Sequence, residues 1–172
     1  MKNANWFEVD RKGLKKLVAN KDKAFILNEL IQNAWDTNAT EVTILLEDGD
    51  TRGYSNISIE DNDPNGFSNI AHAYTMFAES EKKDSPELRG RFNIGEKLVL
   101  SVCREATLET VGTTIFFNED GTRKHLKNDR QEGTLFSAVV RMTDKERESL
   151  LSSFHTMISP DGVTTLLNGT PL

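Results

Sequence analysis

The sequence predicts an α+β fold, a two-layer sandwich in which one mixed, mostly antiparallel sheet carries helices on one face. Two observations predict it. Apolar residues recur at helical spacing over residues 22–37. Segments with alternating or β-branched apolar residues then follow, separated by turns rich in Gly, Asp and Asn. Several strands and a few helices of this kind fit two packed layers around one core.

The first half of the chain holds the clearest helix. A short strand at 6–9 and a short helix at 11–20 are predicted before it. The long helix at 22–37 is indicated by apolar residues at i, i+3 and i+4, which are Ile26, Leu27, Leu30, Ile31 and Ala34. Strands are predicted around 42–46 and 57–59, with a turn at 47–53 and a polar loop at 61–66.

The second half returns to strands after two further helices. Helices are predicted at 70–77 and 96–104, with a charged loop between them at 79–90. Strands are then predicted at 108–111, 114–117, 135–142 and 163–167, with a turn at 118–121. Thr143 with Glu146 three residues later has the pattern of a capping box, which predicts a helix starting there.

Length and composition exclude several classes of protein. The 172 residues suit one domain, so 1–172 is predicted to be a single domain, complete or the N-terminal part of a longer protein. A single cysteine, Cys103, allows no intrachain disulfide and fits the cytoplasm. No apolar run approaches the roughly 20 residues of a membrane helix. The net charge of −6 argues against a nucleic-acid partner, because phosphate contacts need clustered Lys and Arg.

Three polar residues share one face of the long helix: Glu29, Asn33 and Asp36, at spacings of four and three. A solvated helix face is the simplest interpretation of such a pattern. However, Asn has a cost inside a helix, and its amide oxygen is a ligand that Mg²⁺ accepts. A carboxylate one turn away can take a proton from an attacking water. The face is therefore a candidate for metal-assisted phosphate chemistry.

The same helix resembles a known ATP-site motif. Residues 29–40, ELIQNAWDTNAT, resemble the N box of the GHKL superfamily (gyrase, heat-shock chaperone, histidine kinase and MutL), above all its MutL, MORC and topoisomerase branch. The resemblance implies the Bergerat ATP-binding fold. It implies that Asn33 holds Mg²⁺, that Glu29 polarises the attacking water, and that Asp36 is structural.

A second segment, DNDPNGF at 61–67, resembles the G1 box, usually D-x-G-x-G. The resemblance implies that Asp61 accepts a hydrogen bond from the adenine amino group, with Asp63 as the alternative. Asp63 replaces the first glycine, and Gly66 comes one residue late. Because Asp tolerates left-handed backbone, the turn is expected to survive. Phe67 is expected to pack beside the base.

A third segment, RGRFNIGEK at 89–97, opens a helix, and the backbone N–H groups of a helix start attract phosphate. It resembles the G2 box, G-x-F-G-x-G. The resemblance implies that the nucleotide is bound by Gly90, Phe92, Asn93, Ile94, Gly95, Glu96 and Lys97. For Lys97, a solvated helix position is an equally good interpretation.

A Gly133-Thr134 pair begins a later strand, and in the family such a Thr supports the adenine-binding Asp. The four segments occur in the family's order from Glu29 to Thr134. Residues 89–97 and 164–169 are also similar to small phage ATP-binding proteins related to the rIIA product.

The resemblance implies Mg²⁺-dependent ATP binding with slow hydrolysis. An ATP-gated protein-binding switch without significant turnover is the alternative. A third hypothesis is a scaffold whose nucleotide site no longer binds nucleotide. Expected partners are ATP and ADP, with an ATP-dependent homodimer or an unidentified protein partner.

Overall fold

A computed structural model describes residues 22–67, 70–73 and 95–172, together with Gly13 and Lys16, whose backbone is helical. The predicted strand at 6–9 and the predicted loop at 79–90 lie outside these residues, as do most of the helix at 11–20 and the end of the helix at 70–77. Within the described residues, no helix is long and apolar enough to cross a membrane.

The described elements are three α-helices, a short 3₁₀ helix and eight strands. The helices are α1 (Lys23–Trp35), α2 (Gly95–Val102) and α3 (Asp144–His155), and the 3₁₀ helix is Ile70–Ala73. The strands are β1 (Glu41–Asp48), β2 (Tyr54–Asp61), β3 (Cys103–Thr110), β4 (Thr113–Phe117), β5 (Arg123–Lys127), β6 (Thr134–Arg141), β7 (Thr164–Leu167) and β8 (Thr170–Pro171).

All eight strands form one sheet in the order β5-β4-β3-β6-β2-β1-β7-β8. Every pairing is antiparallel except that of β1 with β7. The pairing of β2 with β6 places Asp61 directly opposite Thr134. The predicted α+β class with a mixed, mostly antiparallel sheet is confirmed.

One face of the sheet is covered by helices. Helix α1 packs on β1 and β2, α2 packs on β3, and both α2 and α3 contact α1. Alternate residues of the strands point into this layer, as period-two patterning requires. Ile115 of β4 belongs to a second, smaller cluster with Ala73 and Leu108. The other largest fully buried side chains belong to the main core: Phe154, Ile31, Ile44, Ile57, Leu150, Val42, Val99 and Val140.

Several predicted boundaries were wrong. The helix predicted at 96–104 ends at Val102, and the buried Cys103 is the first residue of β3. Strand β1 continues to Asp48 and strand β2 begins at Tyr54, so the turn between them is shorter than predicted. The prediction missed β5, because all five of its residues, RKHLK, are exposed and show no apolar alternation.

The predicted capping box is confirmed. The Thr143 hydroxyl accepts a hydrogen bond from Glu146 N, and the Glu146 carboxylate accepts one from Thr143 N. Glu146 also pairs with Lys23 at 2.5 Å, which joins the start of α3 to the start of α1. This contact helps to fix the helix that bears Glu29 and Asn33.

Candidate functional site

Helix α1 places the candidate catalytic face. It begins at the N-cap Asp22, whose carboxylate accepts a hydrogen bond from Ala24 N at 2.9 Å. At its other end, the indole N–H of Trp35 donates to the buried Thr165 hydroxyl at 2.9 Å. The helix is therefore tied to the sheet through β7 as well as through its apolar face.

Glu29, Asn33 and Asp36 are each half-buried. A freely solvated polar face would be exposed, so this simplest interpretation does not hold. Burial, and then the charge of Asp36, raise the pKa of the Glu29 carboxyl above its ordinary value. A carboxylate with a raised pKa is a stronger proton acceptor at neutral pH.

Asp61 ends β2, the strand beneath α1. The side chains of β2 alternate, and those on the helix side are buried: Ser55, Ile57, Ile59 and Asp61. The Asp61 carboxylate accepts hydrogen bonds from the backbone N–H groups of Asp63, at 3.0 Å, and Thr134. It is therefore a buried acceptor at the end of a strand.

Asp63, the alternative adenine contact, has a different environment. Its Oδ2 accepts from Asn38 N at 2.9 Å, and its Oδ1 accepts from Asn65 N at 2.8 Å. Its carbonyl accepts from the N–H groups of Gly66 and Gly133. Asp63 thus links the end of α1 to the start of β6, and both of its carboxylate oxygens already have partners.

The turn after β2 does not use the tolerance of Asn or Asp for left-handed backbone. Within the described residues, Asn168 is the one non-glycine residue with a positive φ. Gly66 takes the left-handed conformation instead, with φ of 62°. A Cβ on Gly66 would lie 2.4 Å from the Thr110 hydroxyl oxygen, so the loop also needs glycine for close approach.

Thr110, the last residue of β3, is 1% exposed and was not predicted to belong to the site. Its hydroxyl oxygen accepts a hydrogen bond from Phe67 N at 2.7 Å and lies 3.1 Å from the Thr134 hydroxyl oxygen. Thr110 therefore joins the loop after β2 to the start of β6. Thr is an ordinary strand residue, so its position in the sequence gave no sign of this role.

Arg130 was also missed. Its guanidinium binds the Glu60 carboxylate, the Glu109 carboxylate at 3.2 Å and the Glu132 carbonyl at 2.8 Å. Glu60 and Glu109 both stand opposite Leu135 of β6, on β2 and β3. Arg130 thus joins β2 to β3 and to the loop before β6, beside the Asp61–Thr134 pair.

The proposed phosphate-binding segment is described only in part. Gly90, Phe92, Asn93 and Ile94 lie outside the described residues. Gly95 is the first residue of α2, and Glu96 and Lys97 continue its backbone. The described residues that come together are Asp61, Gly66, Phe67, Thr110 and Thr134.

The burial of Asp61 makes the stability of the folded protein depend on pH. Burial, and then the charge of Asp63, raise its pKa from 3.8 to about 6 against the effect of its backbone hydrogen bonds. Between these values the folded protein holds a proton that the unfolded chain has lost. The free energy of unfolding therefore decreases as the pH rises from about 4 to about 6.

We expect Asp61→Asn to remove this slope and to raise the free energy of unfolding at pH 7.5 by about 1 to 2 kcal/mol in the absence of ligand. Urea denaturation across pH 4 to 8 measures both effects. Asp161→Asn, the same change at an exposed position, is the control and should have no effect. An Asp61 variant that is no more stable than wild type at pH 7.5 would contradict the prediction.

Comparisons with known proteins identify the class of domain. The helix over a mostly antiparallel sheet, with a buried Asp at the end of β2, has the architecture of GHKL-type ATPase domains. The family model of histidine kinase-, DNA gyrase B- and HSP90-like ATPases matches residues 22–151. This is more than half of the chain, and the chain therefore belongs to this family of ATP-binding domains.

A solved structure supports the fold. The ATPase region of Saccharomyces cerevisiae topoisomerase II, crystallised with ICRF-187 (dexrazoxane), matches with a TM-score of 0.59 and 16% identity. The match covers 87% of this chain and 48% of that chain, so this chain spans about half the length of that structure. A search among curated protein sequences finds no significant match.

Proposed function

We propose that this domain binds ATP with Mg²⁺ and hydrolyses it slowly. The observation that carries the proposal is the position of Glu29 and Asn33, which are both half-buried on α1. This helix packs on β2, and β2 ends in the buried Asp61. Base recognition is thereby assigned to the sheet, and metal binding and water activation to the helix that packs on it.

Asp61 and Thr134 are assigned to the adenine base. An ionised Asp61 accepts a hydrogen bond from the amino group of adenine, and ATP affinity should rise as the pH passes about 6. Asp61 is preferred to Asp63 because it ends β2 directly opposite Thr134, whereas the two carboxylate oxygens of Asp63 hold the backbone of Asn38 and Asn65. Gly66 and Phe67 form the adjoining wall of the base site.

Asn33 is assigned to the metal. Among the described residues there is no cluster of three or more His, Cys, Asp or Glu that could hold an ion. A single protein ligand such as Asn33 fits Mg²⁺, because this ion commonly takes few protein ligands and completes its shell with substrate phosphates and water. The amide oxygen of the half-buried Asn33 is the kind of hard donor required. When bound, the ion neutralises charge on the phosphate oxygens.

Glu29 is assigned to the chemical step. One helical turn before Asn33, its carboxylate takes a proton from the water that attacks the terminal phosphate. The raised pKa favours this role over that of a simple surface charge. The phosphates themselves are assigned to residues 90–97, where α2 begins: Gly90, Phe92, Asn93, Ile94, Gly95, Glu96 and Lys97.

A thermal-shift titration with ATP and Mg²⁺ tests the binding site. A ligand that binds only the folded state adds about 2.7 kcal/mol of stability at a hundredfold excess over its Kd. We expect wild type to show a Mg²⁺-dependent rise in Tm and Asn33→Ala to lose it. Gln32→Ala removes an amide from the preceding position of α1 and should keep the rise.

Two outcomes would contradict different parts of the proposal. A wild type whose Tm does not change with ATP would refute nucleotide binding. A rise of equal size in Asn33→Ala and wild type would leave binding in place but refute the metal assignment.

We also propose that residues 1–172 form one domain, supported by the single described sheet and by a core that runs from Ala24 to Leu167. Domains of this class often dimerise. A second copy of this chain, bound in an ATP-dependent homodimer, is therefore the partner to test first, by light scattering with and without ATP.

A further inference from the structure

The buried hydroxyl of Thr110 lies between two parts of the proposed base site. Three polar atoms lie within hydrogen-bonding distance: Phe67 N at 2.7 Å, the Thr134 hydroxyl at 3.1 Å and the Gly133 carbonyl at 3.5 Å. Thr110 itself is 1% exposed, so water does not replace these partners.

The partners restrict the direction of the hydrogen bonds. Because Phe67 N–H can only donate, one lone pair of the Thr110 oxygen is occupied. A hydroxyl that accepts one hydrogen bond becomes a better donor to the next. Its own hydrogen has two acceptors, and the Thr134 oxygen is nearer than the Gly133 carbonyl. The favoured chain therefore runs from Phe67 N–H through Thr110 to Thr134.

We infer that Thr110 is a positioning residue that sets the base specificity of this site by leaving the Thr134 hydroxyl to donate. The inference rests on the proposed function. Thr134 stands opposite Asp61 in the β2–β6 pairing, and both residues belong to the helix side of the sheet.

The resulting pattern distinguishes two purines. Asp61 offers an acceptor and Thr134 a donor, directly or through a water. Adenine presents an amino donor beside the N1 acceptor, which complements this pair. Guanine presents the O6 acceptor beside an N1–H donor, which opposes it at both positions. A buried polar group left without its partner costs more than the net gain of a made hydrogen bond.

The test compares the affinities for ATP and GTP, measured by titration calorimetry with Mg²⁺, in wild type and two variants. Thr110→Val keeps the branched shape but removes the hydroxyl, whereas Thr110→Ser keeps the hydroxyl. We expect Thr110→Val to weaken ATP binding about five- to tenfold and to reduce the preference for ATP over GTP about tenfold. Thr110→Ser should stay within about twofold of wild type.

A double-mutant cycle with Thr134→Val separates positioning from general support of the fold. If Thr110 acts through Thr134, Thr110→Val should change the ATP-to-GTP ratio by less than about twofold in the Thr134→Val background. Melting temperatures without nucleotide verify that each variant is folded. A merely structural role would weaken the binding of both nucleotides equally and leave the ratio of their affinities unchanged.

Each other outcome has a definite meaning. A Thr110→Val protein that keeps the full preference for ATP overturns the inference and leaves the proposed function standing. So does a wild type that binds ATP and GTP equally well. A wild type that binds neither nucleotide overturns the proposed function and the inference together.

Discussion

Replacing Glu29 with glutamine is expected to reduce the rate of ATP hydrolysis by about 10²- to 10⁴-fold, the range attributed to a general base. Glutamine keeps the length and half-buried packing of the side chain but cannot accept the proton of the attacking water. ATP binding should persist, because Asn33 and Asp61 are unchanged. Phosphate release measures turnover, and the Mg²⁺-dependent thermal shift measures binding.

The pH dependence of turnover gives an independent check. Only the ionised Glu29 carboxylate acts as a base, so turnover should rise as the pH passes its pKa, which burial and Asp36 hold above the ordinary value. Asp36→Asn removes one of these two causes. It should shift the acid limb of the profile to lower pH, a change that a purely structural Glu29 would not produce.

Glu148→Gln on the exposed face of α3 is the matched control and should turn over ATP like wild type. A Glu29→Gln protein that hydrolyses ATP at the wild-type rate would refute the assignment of the base. If wild type binds ATP without measurable turnover, the domain is better described as the ATP-gated binding switch.

The features of the site that could be predicted are those that depend on spacing within one element. Glu29 and Asn33 are one helical turn apart in any α-helix, so the apolar periodicity of α1 sufficed to place them together. The capping box at Thr143 is local in the same way and was also predicted. Their half-burial, in contrast, depends on packing against other elements.

The features that could not be predicted depend on pairing between distant segments. Thr110 and Thr134 lie 24 positions apart, and only the register of β3 with β6 brings their hydroxyls to 3.1 Å. Arg130 reaches Glu60 across 70 positions. Strand β5 has no apolar face, because it is an edge strand whose side chains are all exposed.

The departure of the G1-like segment from its pattern also has a physical explanation. Where the family places a glycine, Asp63 uses its carboxylate to hold the end of α1 and its carbonyl to hold Gly133. The close approach that glycine normally permits is provided by two other glycines, Gly66 and Gly133. A sequence pattern could identify the missing glycine but not its replacements.

Gly133→Ala is expected to be the most damaging single substitution to the fold of the base site. Gly133 has φ of 72°, and a Cβ there would lie 2.2 Å from the Asp61 carbonyl oxygen, which is backbone and cannot rotate away. Left-handed strain and the forced separation of β2 from β6 each cost on the order of 1 to 3 kcal/mol. We expect a total loss of about 3 kcal/mol or more, measured by urea denaturation, with ATP binding lost as well.

Gly112→Ala separates the two contributions, because Gly112 has the same φ of 72° but open space where its Cβ would be. This variant should lose only the conformational term, about 1 kcal/mol, and should bind ATP like wild type. Equal losses in the two variants would mean that close packing of Gly133 on Asp61 is unimportant. A much larger loss at Gly133, accompanied by loss of the ATP-induced thermal shift, would show that the glycine before Thr134 is required because the Asp61 backbone passes directly over it.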